Sequence, residues 1–295
     1  MKSRSFTYMF LALAASAALM CGCSSSAQAA GMKETETAAQ EGGSRLEEIK
    51  ERGYLEVAME PYLAPFEFID PGKTGDEMYV GADVELAKYI ADKLGVECRI
   101  IPLEFAAVLS SVTEGKYDMA ISGLAYTPAR AEAMEMSKGY FYGTDEALYG
   151  ILVSDELIEG IKTKEDLKDK TVVVQSGSIQ EIFASELPEG CGELKFVSAT
   201  TDGYLMVQEG KADCCITAIK PAELYLKANP DCGMSISPYI EFEVDKELQG
   251  TRICMQKGET RLLDEVNSIL DEVIETGIFE EWYDEYSELA ASLGV

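Results

Sequence analysis

Glu114-Gly115-Lys116-Tyr117-Asp118 stands directly before the apolar triplet Met119-Ala120-Ile121, and Glu209-Gly210-Lys211-Ala212-Asp213 stands directly before Cys214-Cys215-Ile216. Each reads as a helix closed by glycine, followed by a turn into a short buried strand. Glycine suits the closing position because it enters the left-handed backbone region at no steric cost. The two copies lie 95 residues apart, too far for a solenoid repeat. The repeated order of elements points instead to two related α/β lobes.

Working outward from the first copy, Tyr54–Met59 reads as a strand. Val84, Leu86, Ala87, Ile90 and Leu94 recur at helical spacing, with Gly95 as the stop. Val96–Ile101 reads as a strand and Phe105–Thr113 as a helix. Around the second copy, Thr171–Val174 is a strand, and Ile179–Glu186 and Tyr204–Glu209 are helical. This alternation predicts mainly parallel sheets covered by helices. Gly250–Met255 reads as a further strand. Thr260–Glu275 has an amphipathic helical pattern, Gly277 ends it, and Phe279–Tyr286 forms a closing aromatic helix. These last elements need an apolar face to cover, and the first lobe is expected to supply it. The chain would then cross between lobes twice, near residues 144–150 and 238–250. Two crossings make a hinge, and the cleft between two lobes is a common ligand site.

Composition narrows the function. Fifty-three acids against 25 bases leave a formal charge of −28. Such a surface repels phosphate backbones, which argues against nucleic acid as a partner, and it disfavours docking to anionic lipid headgroups. The chain contains no histidine, so imidazole-based nucleophilic catalysis is excluded and the commonest metal ligand is missing. Metal binding is not expected, nor is any cofactor.

Lys2 and Arg4 precede an apolar run from Phe6 to Met20, the pattern of a secretory signal. The run ends in Leu19-Met20-Cys21-Gly22-Cys23-Ser24-Ser25-Ser26, which resembles a bacterial lipoprotein signal. Cys23, which follows the small Gly22, is the expected lipidated residue, with Cys21 as the other candidate and cleavage of a secreted protein nearby as the alternative. Residues 24–44 carry almost no large apolar side chains and read as a flexible tether. Its r.m.s. reach is about 25 Å. Cys98, Cys214, Cys215 and Cys254 sit in apolar runs and are expected to be buried thiols. A Cys191–Cys232 disulfide is the alternative for that pair.

Further stretches carry a resemblance: Pro65-Phe66-Glu67-Phe68, Gly81-Ala82-Asp83-Val84-Glu85-Leu86-Ala87, Ser122-Gly123-Leu124-Ala125-Tyr126-Thr127-Pro128-Ala129-Arg130, and Val174-Gln175-Ser176-Gly177-Ser178. Together with Glu114–Asp118 they resemble, in order and over about residues 46 to 286, the polar-amino-acid class (family 3) of extracytoplasmic solute-binding proteins. The resemblance implies a periplasmic-binding-protein-like α/β fold of two lobes joined by a two-crossing hinge, with the ligand cleft between them. The expected segments are 1–23 (signal), 24–44 (tether), 45–146 plus 240–295 (lobe 1) and 147–239 (lobe 2). The implied function is capture of an amino acid or related small carboxylate by lobe closure and delivery to the permease subunits of an ATP-driven importer. The protein would act as a monomer, held outside the cytoplasm at the membrane by its N-terminal lipid alone.

The site follows from the same resemblance. Thr127 is a good N-cap and Pro128 fits the first helical position, so a helix starts there, and its free N–H groups favour an anion. Arg130 in that first turn can fork onto a carboxylate. Backbone groups at Gly123 and Ala125 would assist. The alternative for Arg130 is a surface residue paired with an acid. From the second lobe, Gly177, Ser178 and Gln180 lie in a strand-to-helix turn suited to the same carboxylate. Glu60, Leu63, Tyr62 and Phe105 would line the side-chain pocket. Phe66 is expected in the core and Asp83 as a helix cap. The family normally has an Asp after the Cys214–Ile216 strand to balance the ligand's ammonium, whereas this chain has Ala218 and Ile219. Either another acid such as Glu60 replaces it, or the ligand lacks an α-amino group. The competing function is a cyclohexadienyl-dehydratase-like enzyme on the same fold, with Glu60 as its acid. A sensor or cell-wall-lyase lobe is a third reading.

Overall fold

Asp118 and Asp213, the last residues of the two related stretches, do the same work in the folded chain. In the computed structural model, which describes residues 44–143 and 148–294, Asp118 Oδ2 accepts from the N–H of Glu56 at 2.7 Å, and Asp213 Oδ2 accepts from the N–H of Thr171 at 2.7 Å. Each backbone N–H also points back, from Asp118 to Glu56 O (3.2 Å) and from Asp213 to Thr171 O (2.8 Å). Each Asp thus ties the start of its own strand to the start of a neighbouring parallel strand. The glycines before them, Gly115 and Gly210, have φ of 68° and 67°, the left-handed closure expected after a helix.

The first stretch runs α1 (Arg45–Arg52), β1 (Tyr54–Met59), the hairpin β2 (Phe68–Ile69) and β3 (Tyr79–Val80), α2 (Ala82–Leu94), β4 (Glu97–Pro102), α3 (Phe105–Thr113), β5 (Met119–Ala120), α4 (Pro128–Ala133) and β6 (Met134–Met136). The second runs β7 (Tyr149–Ser154), β8 (Thr171–Gln175), α5 (Ile179–Ser185), β9 (Glu193–Val197), α6 (Thr200–Gln208), β10 (Cys214–Ala218), α7 (Ile219–Ala228) and β11 (Met234–Phe242). The chain then returns through β12 (Cys254–Gln256), α8 (Thr260–Thr276) and α9 (Ile278–Leu293). These strands form two five-stranded sheets, β4-β1-β5-β12-β6 and β11-β7-β10-β8-β9. β1 pairs parallel with β4 and β5, and β8 pairs parallel with β9 and β10. The connections α2 and α5 supply the crossovers that parallel pairing requires.

Both sheets are buried on both faces, which explains their continuous apolar runs. In the second sheet Val172 and Val174 join one cluster with Ile179 and Phe183, while Val173 joins the opposite one with Tyr204 and Val207. In the first sheet Leu55, Val57 and Met59 pack with Ile90 of α2, Val266 and Leu270 of α8, and Phe279 and Tyr283 of α9. The C-terminal helices therefore cover the first sheet. Two of the quoted stretches meet at the start of α2: Pro65 O and Phe66 O accept from the N–H groups of Ala82 (3.0 Å) and Asp83 (2.8 Å). Gly81 makes this approach possible, since a Cβ there would lie 2.1 Å from Phe66 O and its φ is +135°.

Three expectations change. The strand expected over Gly250–Met255 shrinks to Cys254–Gln256, because the residues before it are the returning crossover. There Thr251 N–H donates to Phe141 O and Arg252 N–H to Leu124 O, which pins the return to the first sheet. The second crossing lies at 243–253 rather than 238–250, since β11 keeps pairing with β7 through Phe242. Cys98, expected to be buried, is only partly buried, whereas Cys214, Cys215 and Cys254 are buried, and Cys191 and Cys232 are free thiols, so the alternative disulfide does not form. The readings of residues 1–43, including the signal, Cys21, Cys23 and most of the tether, lie outside the described residues. No helix among the described residues is long and apolar enough to cross a membrane.

Candidate functional site

Between the two sheets lies a cavity of about 180 Å³. Arg130 is the buried cation on its wall, with only 8% of its surface exposed. Its position is set locally. Thr127 is extended, its Oγ1 accepts from the N–H of Arg130 at 3.1 Å, and Pro128 opens α4. From there the guanidinium reaches both lobes. Nη1 donates to Ala125 O on the first side (2.7 Å), and Nη2 donates to Gly177 O, in the turn between β8 and α5, on the other (2.9 Å). The Phe105 ring lies 5.6 Å below it. Among the described residues no carboxylate ion-pairs with Arg130, and burial pulls its pKa down from the usual value. A buried charge without a counter-ion is costly, so this arrangement favours an arriving anion. The anion would meet the guanidinium, not a helix dipole. α4 is six residues long, and the N–H of Arg130 is already taken by Thr127.

The structure brings Arg130, Gly123, Ala125, Leu63, Phe105, Ser178 and Gln180 to the cavity wall. The roles of several differ from expectation. Gly123 N–H donates to Asp83 Oδ2 at 2.7 Å, so it is occupied within the protein. Its φ of +54° and the closeness of Leu63 Cδ2, 2.7 Å from where a Cβ would sit, are what require glycine there. Asp83 is correspondingly not the cap of α2. It lies fully buried and holds Gly123 with one oxygen and Tyr140 Oη (2.8 Å) with the other. Gly177 does not line the cavity, and its turn already holds an anion: its N–H donates to Glu181 Oε2 at 2.7 Å. Its contribution is the carbonyl that receives Arg130. Ser178 is the N-cap of α5, with Oγ donating to Gln175 O (2.7 Å) and accepting from Glu181 N–H. Tyr62 turns away from this cavity. It is 49% exposed and lines a second hollow near Phe68 and Tyr225, which adjoins the cavity at Leu63, Thr200 and Pro221.

Glu60 also departs from expectation. It is buried (2% exposed) and does not line the cavity. Gln175 Nε2, reaching from β8 of the second sheet, donates to Glu60 Oε1 at 3.1 Å and to Ser198 O at 2.9 Å, while Gln175 Oε1 accepts from Thr200 Oγ1 at 3.2 Å. Burial pushes the Glu60 carboxyl up to about 8, with the Gln175 hydrogen bond opposing and nearby Asp202 adding to the rise. Behind it a buried chain continues. Glu60 N–H donates to Ser122 Oγ (3.0 Å), and Ser122 Oγ donates to Glu67 Oε1 (2.7 Å). Burial raises Glu67 well above the carboxylate range and Asp83 to about 6. Glu60 thus links the lobes through Gln175, with burial favouring the neutral form of its carboxyl.

Sequence reasoning did not single out Gln175, Thr200, Phe141, Tyr149, Ile179 or Tyr283, all of which face the cavity. Gln175 lay inside a quoted motif, directly before the glycine turn, and was the one with a local signal. Phe66 reaches the cavity while remaining in the core cluster. Ala218 and Ile219 line the second-lobe wall. Beside them Lys220 and Glu223 stand at the open end as an ion pair at 2.9 Å, with side chains 58% and 44% exposed.

Residues 55–288 match the sequence model of the bacterial extracellular solute-binding proteins, family 3. The arginine-binding extracellular protein ArtP of Bacillus subtilis is 31% identical over 217 residues, which are 73% of this chain and 79% of ArtP. The arginine-bound structure of the amino acid ABC transporter substrate-binding protein AbpA of Streptococcus pneumoniae superposes with a TM-score of 0.74 at 31% identity. That match covers 83% of this chain and 98% of AbpA. The cyclohexadienyl dehydratase of Pseudomonas aeruginosa is 27% identical over 188 residues, 64% of this chain and 68% of that enzyme.

Proposed function

This chain belongs to the family 3 bacterial extracellular solute-binding proteins, and from that premise we propose that it captures an amino acid or related small carboxylate for an ATP-driven importer. Arg130 carries the reading. It is a guanidinium buried between two sheets, without a carboxylate partner among the described residues, and bonded to carbonyls from both sides of the cleft. When an anion enters, the fork of Nη1 and Nη2 can turn from those carbonyls onto two carboxylate oxygens, a geometry suited to bidentate contact. Apolar walls exclude water and strengthen that contact. Closure of the first lobe on the second, which keeps β11 through Phe242, then buries the ligand, and the closed form is handed to the permease. The protein works as a monomer. Cys23, made the N-terminus when the signal residues before it are removed, carries the lipid that anchors it, and residues 24–44 serve as the tether.

An enzyme reading of the dehydratase type has one feature on its side, the buried carboxyl of Glu60, which burial raises to about 8. Its carboxyl is held by Gln175 and is set back from the cavity wall, which favours ligand capture over proton delivery to a bound molecule. The test is a melting-temperature screen of the purified chain against amino acids, 2-oxo acids and small peptides, repeated with Arg130→Ala. A carboxylate should raise Tm in the wild type and leave the variant unmoved. Equal shifts in both, or turnover of prephenate, would refute the assignment.

A further inference from the structure

The walls of the cavity carry one buried charge, and it is positive. On the first-sheet side Arg130 is flanked by Leu63, Phe105 and Phe141. On the other side stand Tyr149, Ile179, Ala218 and Ile219. Lys220 and Glu223 neutralise each other at the exposed mouth. On the second-lobe wall Gln175 is spent on Glu60, Ser198 and Thr200, and Ser178 on Gln175 and Glu181, while Gln180 and Tyr149 offer neutral polar groups and no charge. Glu60 lies behind Gln175 rather than on the wall. Among the described residues, nothing inside the cavity would balance an ammonium.

We propose that the ligand is a monocarboxylate with an apolar or aromatic body and no ammonium group, such as the 2-oxo acid of an apolar amino acid. The inference rests on the reading that Arg130 holds a ligand carboxylate. An α-ammonium entering this cavity would lose its water, meet among the described residues no carboxylate but Glu223, which Lys220 already pairs at the mouth, and sit close to a guanidinium of the same sign. Replacing it by a neutral oxo group removes that cost and leaves the carboxylate contact intact. The rings of Phe105, Phe141 and Tyr149 and the side chains of Leu63, Ile179 and Ile219 then receive an apolar body, which gains by leaving water.

The experiment is calorimetric titration of the purified chain with two matched pairs, phenylpyruvate against L-phenylalanine and 4-methyl-2-oxopentanoate against L-leucine. The 2-oxo acid of at least one pair should bind ten or more times tighter than its amino acid. If the amino acids bind as tightly or tighter, and that binding is lost in Arg130→Ala, this inference fails while carboxylate capture stands. If neither member of either pair binds, the inference is overturned. If, in addition, no carboxylate in the melting screen separates wild type from Arg130→Ala, the functional reading falls with it. A second variant adds the missing charge. Ala218 is the N-cap of α7, with φ −68° and ψ 136°, a position that favours aspartate, so Ala218→Asp should fold. It should move the preference at least tenfold toward the amino acid, and an unchanged ratio in the folded variant would overturn the inference.

Discussion

The two strands that follow the related stretches begin alike and end differently. Asp118 before β5 and Asp213 before β10 each hold the N–H of a neighbouring parallel strand at 2.7 Å. Beyond β5 the chain leaves the sheet, passes Ser122, Gly123 and Ala125, and brings Arg130 to the cavity. Beyond β10 it passes straight into α7 through Ala218 and Ile219, and no charge enters the cavity interior. The bottom of each strand is a structural device shared by both lobes. The top of each is where they diverge, and there one lobe supplies the anion-binding group while the other supplies an apolar wall. Position comes from the common frame, and chemistry comes from the connection that leaves it.

The comparison can be broken at its shared end first. Asp118 has a side chain with no exposed surface and pairs with Arg52 and Arg45 as well as with Glu56. Removing one member of a buried ion pair costs about 3–5 kcal/mol. The Asp213 side chain holds the N–H of Thr171, and an unmade hydrogen bond of that kind costs about 1–3 kcal/mol. Denaturant unfolding should therefore show Asp118→Ala losing more stability than Asp213→Ala. Equal losses would mean that the arginines around Asp118 add nothing.

The divergent end is tested by pH. Burial raises Glu60 to about 8, and Asp83 and Glu67 behind it are raised too, with Asp202 the further acid near Glu60. A carboxyl whose folded-state pKa lies above its unfolded value contributes stability that is complete below the ordinary carboxylate range and is lost as pH rises through the folded value. Stability should fall from about pH 5 to pH 8, and the part of the fall between pH 6 and 8 should flatten in Glu60→Gln, which keeps the shape and removes the titration. A wild-type melting temperature that stays level or climbs across this range would show that Glu60 is ionised in the folded chain. The smallest effect belongs to Tyr62, which faces the adjoining second hollow and not the cavity itself. Tyr62→Ala should change ligand affinity less than twofold, and a larger loss by calorimetry would place that hollow within the ligand site.

What could be read from the chain follows the range of the forces involved. β1 and α3 fall where apolar spacing placed them, and Thr127-Pro128 opens α4 as its capping chemistry implies. Those signals act over a few residues. The occupation of Gly123 by Asp83, of Glu60 by Gln175 and of Arg130 by Gly177 joins residues 40, 115 and 47 positions apart. No local pattern records such pairings. The turn at Gly177 is a different case. Glu181, four residues on, carries the oxygen that fills it, and a carboxylate in the first turn of a helix was legible as a competitor for any incoming anion.

The account stands on the carboxylate contact at Arg130, and a thermodynamic cycle isolates it. Calorimetry would compare the tightest-binding carboxylate from the screen with its primary amide, in the wild type and in Arg130→Ala. A buried charge contact of this kind carries 2–5 kcal/mol, so the amide should bind the wild type about a hundredfold more weakly than the acid, and acid and amide should bind the variant about equally. An amide that binds the wild type as well as the acid does, or a discrimination that survives in Arg130→Ala, would contradict it.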